Sequence, residues 1–357
     1  MILGDLTQEQ EDAGKAILPN DLTVGVLWAW NRYMAQKQKC NLGLYRDFLI
    51  ANQNRYSGLE LSRVEPSGDM SHDSVTRWLM KADFRPQDLW QFARPLVAVT
   101  KGYLVLDDTV ISKPFARNID LARHQYSGRE HREINGIGIV NLLWTDSTEY
   151  VPVDYRLYAP DHDGKGKNDH FRDMLDKAEK RGFAPAYVLF DSWYGSLDNL
   201  KAIRRKGWHW VTDLKCNRLV STAPHQHIAI SDLDLDDETV RRVWLKGYGE
   251  VMVARLVLKN NDTRYLASSD LTLTDYETLV NHWRKRWPIE TFHQGLKQTT
   301  GVGNCSAQRI HAQKVHIFSC MVAFLKLESI RQQTGQTWYE QKAAITRPAT
   351  SAYLANA

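Results

Sequence analysis

Three carboxylates in this chain stand where a side chain can do chemistry. The apolar runs Leu104-Val105-Leu106 and Tyr187-Val188-Leu189-Phe190 stop at Asp107 and Asp191, the pattern of a buried strand that opens onto a functional edge. The third acid, Glu290, belongs to a series of chemically capable residues spaced three, four, three and four apart: Trp283, Arg286, Glu290, His293 and Lys297. That spacing predicts one face of a helix. Ile289, Phe292 and Leu296 form an adjoining apolar stripe able to dock the helix on a sheet, and Pro288 starts or kinks it.

Three acids flanked by Arg and Lys suit phosphodiester chemistry. Hard divalent cations such as Mg2+ take oxygen ligands and sit between protein carboxylates and phosphate oxygens. Two such ions can activate a water or a 3′-hydroxyl on one side of a phosphodiester and stabilise the leaving oxygen on the other. Arg grips a neighbouring phosphate through a fork of donors, Lys as a point charge. Taken alone, either Asp reads better as a loop cap, and an ion-pair network serving stability would show the same spacing. The residue types do not separate these readings.

The surrounding chain must position those acids. At 357 residues, 43% hydrophobic and 25% charged, it fits a folded protein of one elaborated or two modest domains and excludes intrinsic disorder as a class. Its apolar runs are shorter than a membrane span and its first residues lack a signal-peptide pattern, so a cytoplasmic protein with no membrane partner is expected. Cys40, Cys216, Cys305 and Cys320 are scattered, which favours reduced thiols over disulfides or a zinc site. The net charge of +4 is uneven: between 281 and 331 eight Lys and Arg face only Glu290 and Glu328. Such a segment reads either as a polyanion-binding face or as a solvated helix surface.

Residues 1–98 read as helical, with helices over 20–36 and 44–54 and a third after Ser71 or Asp73. The last of these could act as the reading helix of a helix-turn-helix unit, presenting Ser74, Arg77 and Lys81 to DNA. From 99 to 214 the order is strand, strand, strand, helix, strand, helix, strand, a meander followed by crossover units that predicts a mixed sheet with helices on its faces. The first strand is read as 103–107, and 145–148 as a hairpin turn. Residues 215–271 read as a β-rich insertion, 272–331 as helices opening at Thr274 with Glu277 at capping-box spacing, and 332–357 as a tail with little signal.

The segment Trp283-x2-Arg286-x3-Glu290-x6-Lys297 resembles the Y-x2-R-x3-E-x6-K signature of bacterial insertion-sequence transposases of the DDE superfamily. Asp107-Asp108-Thr109 resembles the first-strand D-x-T of that group, and Leu189-Phe190-Asp191 its second acidic strand. The resemblance implies an α/β, RNase H-like mixed sheet flanked by helices, with an all-α N-terminal region and the insertion before the last catalytic helix. It further implies a cut-and-paste DNA transposase that binds terminal inverted repeats, cleaves a strand and joins the freed 3′ end to target DNA, working as a homodimer on DNA. Asp107, Asp191 and Glu290 would hold two Mg2+ ions, with Mn2+ able to replace them. Arg286 and Lys297 would contact the DNA backbone, with Trp283, Arg284, His293 and Arg77 as further DNA contacts. Trp283 stands where the group has Tyr, and Asp108 leaves the first acid open by one residue, although D-x-T spacing selects Asp107. A base stacked on an aromatic of the insertion would use Trp208, Trp210, Trp244 or Tyr248, each of which reads more readily as core.

Overall fold

The structure, a computed structural model, describes residues 39–356 apart from 129, 224 and 225. The helix expected over 20–36 and the side chain of Arg129 lie outside the described residues. In chain order the helices of seven or more residues are α1 (Leu42–Ala51), α2 (Gly58–Val64), α3 (His72–Lys81), α4 (Lys167–Lys180), α5 (Leu197–Arg205), α6 (Tyr276–Arg284), α7 (Pro288–Thr299), α8 (Ile310–Thr334) and α9 (Trp338–Ala355). The strands are β1 (Tyr103–Ser112), β2 (Arg123–Ser127), β3 (Arg132–Thr145), β4 (Val151–Tyr158), β5 (Tyr187–Leu189), β6 (Trp210–Leu214), β7 (Leu219–Ser221), β8 (Ile228–Ala229), β9 (Arg241–Leu245), β10 (Gly249–Val257) and β11 (Thr263–Ser268).

The strands form one mixed sheet, ordered β2-β3-β1-β5-β6-β11-β10-β9-β7-β8, with β4 sharing the β3 edge with β2. β1, β3 and β4 are the antiparallel meander, whereas β5 and β6 join β1 in parallel through the crossover helices. The 215–271 segment continues the same sheet, because β11 pairs antiparallel with β6 at Tyr265–Ser268. The outcome is a mixed α/β architecture with helices against a large sheet, as expected. Val105 lies opposite Leu189 in the β1–β5 register. Asp107 and Asp191 each follow two residues later, so their backbones reach the same level of the sheet.

Several local expectations change. β1 runs ten residues rather than stopping at Asp107, because Thr109-Val110-Ile111 extends its pairing with β3. Its acid is therefore mid-strand. Ser71, not Asp73, caps α3: its hydroxyl accepts the Ser74 N–H at 3.3 Å. Asp275 rather than Thr274 caps α6, its carboxylate accepting the Thr278 N–H at 2.8 Å, since an ionised acceptor is the stronger one at a helix N-terminus. The helix read across 283–297 is broken, with α6 ending at Arg284 and Pro288 beginning α7. The tail read as featureless contains α9, opened by a reciprocal Thr337–Glu340 capping box.

α8 organises the helical layer. Its residues 315–325 carry no charge, and buried side chains surround it on all sides, as expected of a helix packed in a core. α1, α3, α7 and α9 contact it. Tyr45 of α1 donates its hydroxyl hydrogen to His316 Nδ1 at 2.9 Å, and His316 Nε2 lies 3.2 Å from the Gly301 carbonyl. Burial, aided by Lys113, pushes the His316 pKa down to about 4 from 6.5. The folded state thus keeps this ring neutral while the unfolded chain protonates it. Its contribution is complete above pH 6.5 and is lost as pH falls from 6.5 to 4. Denaturation midpoints across that window should fall less steeply for His316→Gln than for the parent, by up to one proton, or about 1.4 kcal/mol per pH unit.

Candidate active site

Strand alternation selects which acid of the Asp107-Asp108 pair faces the last catalytic helix. Asp107 and Thr109 share one face of β1. Asp107 Oδ2 lies 3.6 Å from Arg286 NH1, and Thr109 Oγ1 accepts from Lys297 Nζ at 2.6 Å. Asp108 points the other way, accepting from Lys167 Nζ of α4 at 2.6 Å and from the Tyr194 hydroxyl at 2.8 Å.

α7 lies along that face because Ile289, Phe292 and Leu296 are fully or nearly fully buried. Their burial turns Glu290, His293 and Lys297 toward β1. Arg286, in the turn before α7, places NH1 4.0 Å from Glu290 Oε1 as well as beside Asp107. His293 is buried, and Asn141 Nδ2, on β3 opposite Asp107, donates to its Nε2 at 3.0 Å. That bond leaves the ring proton on Nδ1, 3.9 Å from Glu290 Oε2. Asp191 begins a short 3-10 turn, its Oδ1 accepting the N–H groups of Trp193 at 3.1 Å and Tyr194 at 3.3 Å.

These surroundings set the charges. Burial raises the Asp107 pKa well above the carboxylate range, and the nearby Asp191 and Glu290 charges add to it against the opposing Arg286. Asp191 is raised by burial as well, with Arg286 opposing. Glu290, its side chain 44% exposed, is held down to about 2 by His293 and then Arg286. Three acids and one guanidinium leave the cluster short of positive charge, which a divalent cation would supply.

Asp107, Glu290 and His293 present ligand atoms within 4.8 Å of one another, the one such group among the described residues. The two carboxylates supply hard oxygens that fit a divalent cation, while His293, its ring proton on Nδ1, faces Glu290 as a donor rather than as a ligand. Asp191 stands outside this trio, its Oδ1 engaged by the turn that follows it.

The other expected residues disperse. Trp283 ends α6 partly buried against the core, its indole N–H without a protein partner. Arg284 is exposed and lines a separate cleft with Ser147, Asn281 and Lys285. Arg77 is exposed on α3, which packs against α8. Among the insertion aromatics, Trp210 is fully buried and donates to the Tyr248 hydroxyl at 3.0 Å, whereas Trp244 is 53% exposed. Asn141 and the Asp108–Tyr194–Lys167 triangle escaped the sequence reading. The available signals were a polar residue inside the apolar run Ile137–Trp144 and the Tyr three residues after Asp191.

A meander joined in parallel by two crossover strands, with one acid on β1, one just past β5 and a third on a docked helix, is an arrangement suited to metal-dependent phosphodiester cleavage. The chain belongs to the DDE superfamily of endonucleases, whose profile matches residues 35–229. Residues 161–335 also match an ISC1217-like archaeal transposase profile. No curated protein matches it in sequence. Among solved structures it is similar to the piggyBac transposase synaptic complex with hairpin DNA, seen by cryo-EM. The TM-score there is 0.53 at 13% identity over 94% of this chain and 73% of that one. A match to the Drosophila P element transposase strand transfer complex spans 95% and 69% of the two chains at 12% identity, with a TM-score of 0.28, too low to bear on the fold. The superfamily uses divalent metal, and no helix among the described residues is long and apolar enough to cross a membrane.

Proposed function

We propose that this chain is a cut-and-paste DNA transposase. It would bind the terminal inverted repeats of its element, cleave a strand at the element end and join the freed 3′-hydroxyl to target DNA, working in the cytoplasm at the nucleoid as a homodimer on DNA. The observation that carries this reading is the meeting of Asp107 and Glu290 around Arg286, with Asp191 at the same sheet level.

Asp107, Asp191 and Glu290 are proposed to hold two Mg2+ ions, with Mn2+ as a substitute. When bound, such cations acidify an attacking water or hydroxyl and take up charge on the leaving oxygen. His293 steadies Glu290 from its buried position. Arg286 exchanges its carboxylate contacts for the phosphate beside the cleaved bond, and Lys297, held at Thr109, meets the next phosphate. In cleavage a water oxygen bonds to phosphorus as the 3′ oxygen leaves with its electron pair. In joining that 3′ oxygen attacks a target phosphate and displaces its 3′ oxygen. Arg77, Arg284 and Trp283 are proposed as contacts along the bound duplex. The N-terminal helices and the 272–331 helices carry end binding, and the core over 99–214 carries the chemistry.

The test is incubation with a labelled fragment carrying the element end, in Mg2+ or in EDTA, with target plasmid present. Cutting at the boundary followed by linkage of label to plasmid, both lost in EDTA, is the expected result. Cutting without linkage would reduce the protein to a nuclease, and binding without cutting would reduce it to a DNA-binding regulator.

A further inference from the structure

We infer that Phe115 is a wedge that inserts between base pairs of bound duplex DNA about 20 Å from Asp107, counting the six residue steps from Asp107 to Lys113 at the foot of the turn that carries it. This inference rests on the DNA-binding reading above.

The sequence Lys113-Pro114-Phe115-Ala116 forms a tight turn directly after β1, closed by the Ala116 N–H donating to the Lys113 carbonyl at 3.0 Å. Pro114 occupies the turn position for which its fixed φ is suited. Phe115, next in the turn, is 95% exposed. Few surface features oppose water so completely, and the turn beneath is anchored from several sides. Lys113 is buried, and its ammonium donates to the Gly303 and Cys305 carbonyls at 2.8 and 2.7 Å. The Asn135 amide donates to the Lys113 and Ala116 carbonyls at 3.2 and 2.8 Å, and the Lys113 N–H donates to Asn135 O at 2.8 Å. A single exposed apolar side chain is ordinary on a protein surface; one held rigidly at the lip of a cationic groove calls for an occupant.

The turn borders a groove of about 830 Å³ built from three separate chain segments. Arg55 and Arg117 are exposed in it, and neither guanidinium pairs with a carboxylate among the described residues. No Asp or Glu is among its lining residues, while Asn54, Asn118, Asn304 and Gln308 supply amides. Free guanidinium groups meet phosphates, and amides suit base edges and sugars. An apolar side chain set among such groups matches the devices that unstack a base step and kink the duplex. The loop that follows α7 supplies the Gly303 and Cys305 carbonyls that hold Lys113, so the helix bearing Lys297 and the turn bearing Phe115 share one support. At about 3.4 Å per base pair, 20 Å corresponds to roughly six pairs from the cleaved bond.

The test uses a 30-base-pair duplex ending in the element boundary, with 2-aminopurine placed at each position in turn. With parent protein, fluorescence should rise several-fold at one step near the sixth pair and stay flat elsewhere. Phe115→Ala should remove that rise at saturating protein with little loss of duplex retention, and Phe115→Leu should keep it. Arg55→Ala/Arg117→Ala should weaken retention several-fold yet preserve the rise once saturated. A bound duplex with no rise at any step, or a rise that survives Phe115→Ala, overturns the wedge and leaves DNA binding intact. Failure of the parent to retain duplex overturns both readings together.

Discussion

Asp107→Asn and Glu290→Gln chains will retain an element-end duplex as the parent does and cut it on the order of a thousandfold more slowly, several kcal/mol of lost transition-state stabilisation. Each substitution keeps the shape and removes one carboxylate from a cluster proposed to hold divalent cations. Asp107 is buried against Arg286, so its amide leaves that guanidinium facing one carboxylate fewer. Phosphate affinity should therefore hold or rise slightly while cutting collapses. Asp108→Asn is the internal control. Its carboxylate serves Lys167 and Tyr194 on the opposite face of β1, so its main loss should be in stability. Single-turnover cleavage at saturating protein, paired with a filter-retention curve, separates these outcomes. Equal loss of cutting in the Asp108 and Asp107 variants would move the first metal ligand by one residue.

Lys342→Ala should destabilise the fold by about 4 kcal/mol, the range seen when a buried charge is removed from its partners. The Lys342 ammonium is buried, and burial draws its pKa down to about 8, so it remains charged at neutral pH. It donates to the carbonyls of Ile50 at 2.9 Å, Asn52 at 2.5 Å and Thr299 at 3.1 Å, and lies 3.2 Å from the Tyr56 hydroxyl. Those oxygens cluster at the C-terminal ends of α1 and α7, where a cation also meets the negative end of each helix dipole. Without it several buried acceptors lose their donor together. Urea denaturation measures the loss. Cleavage by the remaining folded fraction should also fall, on the order of tenfold or more, because a small shift of α7 moves Glu290 off its geometry. An unfolding midpoint within experimental scatter of the parent would refute this account of the clamp.

Much of the site was legible because its parts lie in strong local patterns. Asp107 and Asp191 interrupt apolar runs, and the spacing from Arg286 to Lys297 still brings those side chains to one face although the helix breaks before Pro288 and leaves Trp283 aside. The resemblance to DDE transposases drawn from these motifs agrees with the superfamily match. What stayed hidden depends on partners distant in sequence. β2 reads Arg-His-Gln-Tyr-Ser and has no apolar alternation, existing as a strand because β3 offers it a ladder. α9 carries Pro348 inside it and buries little beyond Trp338, Gln341 and Lys342, so its periodicity is faint even though its capping box was in view. The role of Asn141 needs the β1–β3 register before its amide can be seen to meet His293.

Gly295 lies on α7 against the Trp338 ring, and a methyl group there would come within 2.6 Å of it. The Trp338 indole is in turn held by Glu328 at 2.7 Å. Together with Lys342 at Thr299, these contacts make α9 the brace that fixes α7. During synthesis the ribosome therefore releases all three acids well before the segment that seats Glu290. A nascent chain that has not reached Trp338 already carries Asp107, Asp191 and Glu290 but lacks the contacts that seat α7, so completion of the candidate site should wait on α9.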